Sequence, residues 1–152
     1  MTIRFMRPED HRQLVELWSG SPGNAVTRAD SYEEFSEFLA RNGEFCFTAV
    51  DRAGDGILHA AGSVMAGSDG RRGYVYHLAV REGLRGRGLG GRLMRSVEEA
   101  LKRSGLEKIH LFIYRDNPAV AFYEKMGWHV RHDILVMSRV LEGPGQDRNK
   151  GR

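Results

Sequence analysis

Residues 80–94 read VREGLRGRGLGGRLM, with five glycines and four arginines where an amphipathic helix is about to begin. Glycine in a helix interior costs roughly 1 kcal/mol relative to alanine, so a run of them needs a reason. Glycine opens backbone angles closed to other residues and lets the main chain approach a ligand closely. A helix N-terminus also leaves several N–H groups unpaired and carries a partial positive charge. Curled by glycines, such a start aims consecutive N–H groups at one place and can hold a pyrophosphate. Arg85, Arg87 and Arg92 would add charge-assisted contacts. These are the residue types of an anion site.

Two familiar anion motifs fit poorly. Gly86, Gly88 and Gly91 match the GxGxxG spacing of dinucleotide loops, and Asp116 lies beyond the next strand. In that motif the first glycine follows its strand directly, whereas residues 81–85 intervene here. The strand also follows an antiparallel meander instead of opening a βαβ unit. A phosphate loop needs Lys-Ser or Lys-Thr after its glycines, and none is present. A nicotinamide dinucleotide is therefore the weaker reading. A glycine turn with no ligand leaves unexplained why the glycines continue into the helix.

A second block, NPAVAFYEKMGW, covers residues 117–128. Asn117 before Pro118 reads as a helix cap and Gly127 as the stop. Tyr123 shares a stripe with Ala119, Phe122 and Met126, so core packing alone would account for it.

Together, LAV followed by RGRGLG and then NPAVAFYEKMGW resemble the GNAT superfamily of N-acetyltransferases. The pattern is nearest to the small bacterial YpeA-type members, which share the DG-x-RG step before the LAV strand. The resemblance runs from the first strand to about Leu141. It implies acetyl-CoA as cofactor, with its pyrophosphate on Arg85, Gly86, Arg87, Gly88, Leu89, Gly90 and Gly91. Leu78, Ala79 and Val80 would splay from the KIHLFIY strand and bond the pantetheine arm, the Val80 N–H facing the thioester oxygen. Asn117 and Phe122 would border the cofactor, and Tyr123 would be the general acid for the departing thiolate.

The same resemblance leaves the general base open between His77, Tyr76 and a water. Strand alternation sets Tyr74, Tyr76 and Leu78 on one face, with Val75, His77 and Ala79 on the other. The ribosomal-protein acetyltransferases of the superfamily carry a glutamate before the Asn block, where Phe112 stands here. That argues against a protein N-terminus as acceptor. The acceptor is expected to be a small-molecule or peptide amine, gripped by residues 19–28 and by the helix bearing Glu33, Glu34 and Glu37. A CoA-binding module without catalysis is the alternative, and Tyr123 speaks against it.

The elements that must position these residues follow from periodicity. Strands are expected at TIRFMR, EFCFTAVD, GILHAAGSVMAG, YVYHLAV, KIHLFIY and WHVRHDILVMSRVL, the last broken by a turn near Asp133. KIHLFIY is nearly all apolar, as in a strand covered on both faces. The AGDG and GSDGRRG segments read as turns. Helices are expected at PEDHRQLVELW with Leu14, Val15 and Leu17 inside, and at SYEEFSEFLARNG with Phe35, Phe38 and Leu39 inside and Gly43 as stop. Two more cover residues 88–104 and 117–127. The fold class is mixed α/β (α+β), a mostly antiparallel central sheet of six to seven strands flanked by about four helices. Residues 1–141 form one domain, and residues 142–152 read as a disordered tail.

The totals narrow the partners. In 152 residues, 41% are hydrophobic and 28% charged, which suits one soluble domain. The net charge of +3 is too small for wrapping nucleic acid, and the arginines point instead to a local anionic ligand. The single Cys46 sits in a strand-like segment and can form no internal disulfide. The six histidines are scattered, so no metal site is expected. No apolar run is long enough to cross a membrane, and no apolar signal core opens the chain. A cytoplasmic protein is expected, with monomer and homodimer as alternatives.

Overall fold

The structure, a computed structural model, describes residues 1–52 and 57–141; the AGDG turn and the tail at 142–152 lie outside the described residues. Five strands form one sheet: β1 (Thr2–Phe5), β2 (Phe47–Arg52), β3 (Leu58–Ser68), β4 (Gly73–Val80) and β5 (Ile109–Leu111). They lie side by side in chain order, antiparallel except for the β4–β5 pair. Four helices accompany them: α1 (His11–Ser19), α2 (Tyr32–Asn42), α3 (Leu89–Arg103) and α4 (Val120–Lys125).

The sheet is covered on both faces. α3 buries Leu89, Leu93, Met94, Val97, Ala100 and Leu101 against Phe47, Ala49, Ala61, Val64 and Val75. On the other face, Leu14 and Trp18 of α1 and Phe35 and Leu39 of α2 pack with Cys46, Met65 and Ala79. Each large side chain buried this way contributes roughly 1.5–3 kcal/mol. Periodicity located the α3 stripe correctly, but on α1 the fully buried pair is Leu14 and Trp18, with Val15 and Leu17 at its margin.

The strand count is five among the described residues, not six to seven. Residues 128–141 were expected as strand, yet they form no ladder, and Leu135 and Met137 are 92% and 93% exposed. ILVM at 134–137 is apolar without alternation, so it offers no second face on which a strand could be told from a loop. KIHLFIY likewise contracts to Ile109–Leu111, with Phe112 and Tyr114 exposed. Its apolar run reads as a central strand, but β5 occupies a sheet edge and leaves β4 after three pairs.

Two helix boundaries also differ. α4 begins at Val120, because Asn117 closes a separate turn before it: its Oδ1 accepts the Ala119 N–H at 2.9 Å and its carbonyl the Val120 N–H at 3.1 Å. Gly43 has φ −59, so α2 runs into a 3₁₀ turn without a left-handed stop.

The entry to α1 is fixed electrostatically. Arg4 of β1 forks onto Asp10 at 2.7 and 2.8 Å, while the Thr48 hydroxyl and the Arg7 N–H also donate to Asp10 at 3.0 Å. Burial pushes the Asp10 carboxyl up, but these donors outweigh it and hold its pKa below the usual carboxylate value. A depressed pKa contributes stability above the unfolded value of about 3.9 and loses it as pH falls through the folded value. Asp10→Asn is expected to lower the unfolding free energy at pH 7 by about 2 kcal/mol. Urea titrations should show that deficit shrinking as pH drops below about 4; a pH-independent deficit would mean the charge is irrelevant.

Candidate active site

The site begins where two strands part. β4 and β5 pair only at Gly73↔Ile109, Tyr74↔His110 and Val75↔Leu111, and β4 then continues to Val80 without β5 beside it. At the same place β4 bulges. Met65 of β3 faces Tyr76 and Ser63 faces Ala79, so Val64 alone opposes His77 and Leu78. His77 takes φ +46, the one non-glycine residue with positive φ among the described residues.

The bulge overturns the expected alternation. Val75, Leu78 and Val80 join the α3 side of the core, while Ala79 joins the α1/α2 side. Tyr76 meets Phe38 of α2 edge-on, and His77 stacks on Trp18 of α1. Tyr76 and His77, expected on opposite faces, therefore share the α1/α2 face.

Hydrogen-bond phase decides which main-chain groups face the split. Arg81 N–H bonds Ala61 O at 2.9 Å, which makes the neighbouring Val80–Gly62 register a non-bonded pair. In such a pair N–H and C=O turn outward, away from β3. The Val80 N–H therefore points to the open edge. Leu78 O already accepts from Asn24 Nδ2 at 3.3 Å, and Val80 O from Arg85 Nε at 2.9 Å.

The glycine run follows. Gly86 and Gly88 have φ +73 and +80, and Gly88 is the left-handed residue at the start of α3. A Cβ at either would meet no atom within 4 Å, so both face open space. Leu89, Gly90 and Gly91 form the first turn, whose N–H groups have no intrahelical acceptor. The Leu89 side chain is buried in the core, leaving only its backbone for a ligand. Arg85 and Arg87 are exposed beside the loop. Arg92 instead borders a hollow on the β1 side of α3, with Met1, Thr2, Ile3 and Arg95.

α4 closes the opposite wall. The Phe122 ring lies 3.4 Å from where a Gly90 Cβ would stand, so glycine there lets α4 sit against the start of α3. Tyr123 packs edge-on against Phe122 and tilted against Trp128, whose Nε1–H bonds Glu98 of α3. Its hydroxyl has no hydrogen-bond partner among the described residues, and burial pushes its pKa up to about 12.

Residues that the sequence did not single out complete the site. Asp30 Oδ1 lies 2.6 Å from His77 Nε2, and Asn24 Oδ1 lies 3.4 Å from Nδ1. Ser63 accepts from Trp18 Nε1–H at 2.8 Å and donates to His77 O at 3.3 Å. Gly23, at φ +81, presses against the Asn117 side chain. No spacing rule links residues this far apart; only the bulge brings them together. Glu33 and Glu34 are exposed, and Glu37 pairs with Arg41 on the outer face of α2. Phe112, at the position noted for a glutamate base, stacks on Tyr74.

A parallel strand pair thus parts beside a glycine-opened helix N-terminus, leaving the outward Val80 N–H next to the unpaired amides that begin α3. The sequence profile of the Acetyltransferase (GNAT) family matches residues 11–128, and the chain belongs to that family, whose acetyl donor is acetyl-CoA. Acetyltransferases of Yersinia pestis, Pectobacterium atrosepticum and Sodalis glossinidius are 37%, 31% and 30% identical to it. The alignments cover 93% of this chain and 96%, 97% and 96% of those proteins. The fold is shared with an Ard1 protein of Thermoplasma volcanium (TM-score 0.72, 19% identity, 86% of this chain and 83% of that one). It is also shared with the PaiA N-acetyltransferase of Thermoplasma acidophilum solved with coenzyme A (TM-score 0.70, 19% identity, 86% and 90% covered). Among the described residues no helix is long and apolar enough to cross a membrane.

The cradle makes a direct prediction. In Gly88→Leu the side chain would stand in the open space at φ +80, at a conformational cost of about 1–2 kcal/mol. Calorimetric titration should find acetyl-CoA binding weakened by at least about a hundredfold, with the far-UV spectrum kept. Unchanged affinity would remove this loop from the cofactor site.

Proposed function

We propose that the protein moves the acetyl group of acetyl-CoA directly to a primary amine, with Tyr123 as general acid. The observation that supports this is the split between β4 and β5, where the Val80 N–H turns outward beside the unpaired amides that begin α3. The role of Tyr123, a half-buried phenol without a hydrogen-bond partner among the described residues, rests on the family resemblance.

Each residue has a task. Backbone N–H groups of Gly86, Gly88, Leu89, Gly90 and Gly91 would hold the pyrophosphate, with Arg85 and Arg87 adding charge. Along Leu78, Ala79 and Val80 the group left open is the Val80 N–H, because Leu78 O and Val80 O already accept from Asn24 and Arg85 and Ala79 pairs with Ser63 of β3. The pantetheine arm would run beside that edge. The Val80 N–H faces the thioester oxygen and stabilises negative charge developing there. Asn117 and Phe122 set the far wall.

Tyr123 stays neutral throughout the working pH range because its pKa lies near 12, so its hydroxyl is always available to donate to the leaving sulfur. The amine must arrive uncharged, its proton passing to water or through Tyr76. No enzyme nucleophile is involved. Cys46 is wholly buried on the α1/α2 side, and burial pushes its thiol up to about 12. The cytosol, where acetyl-CoA is made and used, is the proposed compartment.

The test is a calorimetric titration with acetyl-CoA and, separately, with NAD, followed by thiol-release assays on primary amines. Acetyl-CoA binding with amine-dependent thiol release supports the reading; binding of NAD alone overturns it. Tyr123→Phe keeps the ring packing and should lower kcat by about a hundredfold while leaving acetyl-CoA affinity within about twofold. Full turnover by that variant across pH would reduce Tyr123 to a packing residue.

A further inference from the structure

His77 is held more tightly than a proton acceptor needs to be. Its backbone sits at φ +46, a region that costs a non-glycine residue roughly 1–3 kcal/mol and persists only when the surroundings enforce it. Four contacts enforce it here. The ring stacks on Trp18 with centroids 4.2 Å apart and planes 13° apart. Its carbonyl accepts from Ser63, which is itself bonded by Trp18. Nε2 meets Asp30 at 2.6 Å and Nδ1 meets Asn24 at 3.4 Å.

Both nitrogens are thus engaged by the segment between α1 and α2. Asn24 spends its Nδ2 on Leu78 O, which turns its Oδ1 toward the ring. Asp30 is a hub: its Oδ2 accepts the Thr27 N–H at 2.7 Å, and its backbone carbonyl meets His11 Nε2 at 2.8 Å. From these anchors the loop spans the cleft, with Asn24 on the β4 wall and Gly23 on Asn117 at the other. The contact between His77 and Asp30 is largely shielded from solvent, with 16% and 10% of the two side chains exposed.

We propose that His77 is a positioning residue that, through Asp30 and Asn24, fixes residues 20–30 across the acceptor end of the cleft and sets the channel by which the amine arrives. It does not take the amine's proton. The proposal rests on the acetyl-transfer reading above. The charged and titratable groups facing the ring are Asp30 and, behind it, His11; Tyr76 is its neighbour on β4.

The test compares wild type, His77→Asn, Asp30→Asn and the double variant. Asparagine tolerates positive φ but is too short to reach Asp30, so the bulge can survive while the clamp is lost. Amide exchange in peptides covering residues 20–30 should rise at least about tenfold in each single variant, with α3 and β3 unchanged. The double variant should add little to either. With acetyl-CoA and a lysine-containing peptide bearing a free N-terminus as amine probe, the KM for peptide should rise at least about fivefold. Over the same series kcat should stay within about threefold and keep the acid limb of its pH profile. Loss of that limb with a collapsed kcat would make His77 the proton acceptor. Unchanged loop exchange, or a uniform rise across the whole chain, would equally overturn the clamp. The exchange comparison needs no acceptor, so it decides the clamp even if the amine reading fails.

Discussion

The site depends on a ladder only three pairs long. Gly73, Tyr74 and Val75 hold β5 in parallel register, and the two strands then separate. A Cβ on Gly73 would come within 2.8 Å of both Ile109 and Leu101, so glycine is what lets β5 and α3 close on the start of β4. A longer ladder would seal the edge that Val80 leaves open; a shorter one would release β5 and the Asn117 turn that follows it. The bulge at His77 acts with this limit. By inserting one residue it brings Tyr76 and His77 onto the α1/α2 face and returns Leu78 and Val80 to the α3 side. One strand thereby sends consecutive side chains to both faces of the sheet beside the split.

Charge follows the same geometry. The positive end of α3 faces the opening, with Arg85 and Arg87 exposed beside it. On the α1/α2 face, Asp30 is bound by His77 and Thr27. An anion entering at the glycine loop therefore meets donors, while the acceptor end is shaped by a neutral backbone and an internally paired carboxylate. This division makes the site directional before any ligand arrives.

Legibility in the sequence tracked how local each cause is. The stripe of Leu89, Leu93, Val97 and Leu101 and the glycines before it depend on near neighbours, and the structure places them as the pattern reads. The turn at Asp69 is equally local, its carboxylate taking the Arg71 and Arg72 N–H groups at 2.8 Å. The bulge is not local. His77 lacks the glycine that usually marks positive φ, and what holds it there comes from Trp18, Asn24, Asp30 and Ser63, far off in sequence. Alternation therefore failed at Tyr76 and His77. The end of the sheet failed for the opposite reason: ILVM at 134–137 looks buried by composition, yet with no opposing strand it stays at the surface. Asn117 shows a third case, where one side chain caps a turn and also meets Gly23 from a loop that spacing could not connect to it.

The position of Tyr123 decides how the proposed chemistry must be shared. A phenol near 12 set against a thiol near 8.5 makes full proton transfer to the sulfur uphill by about 5 kcal/mol. That is a large share of what a general acid supplies, typically 10²–10⁴-fold or about 3–5 kcal/mol. Tyr123 is therefore best used as a neutral donor that strengthens its bond as charge grows on sulfur, not as a group that surrenders its proton early. The remaining stabilisation then falls to fixed dipoles. In the proposed reaction the Val80 N–H, fixed by the β3–β4 register, needs no reorganisation as charge develops on the thioester oxygen, while the start of α3 holds the unchanging charge of the pyrophosphate. The proposed His77 clamp lies where Asn24 meets Leu78 O and Gly23 meets Asn117, so its loss would be felt in how the amine is admitted and not in the donors that stabilise charge on the thioester.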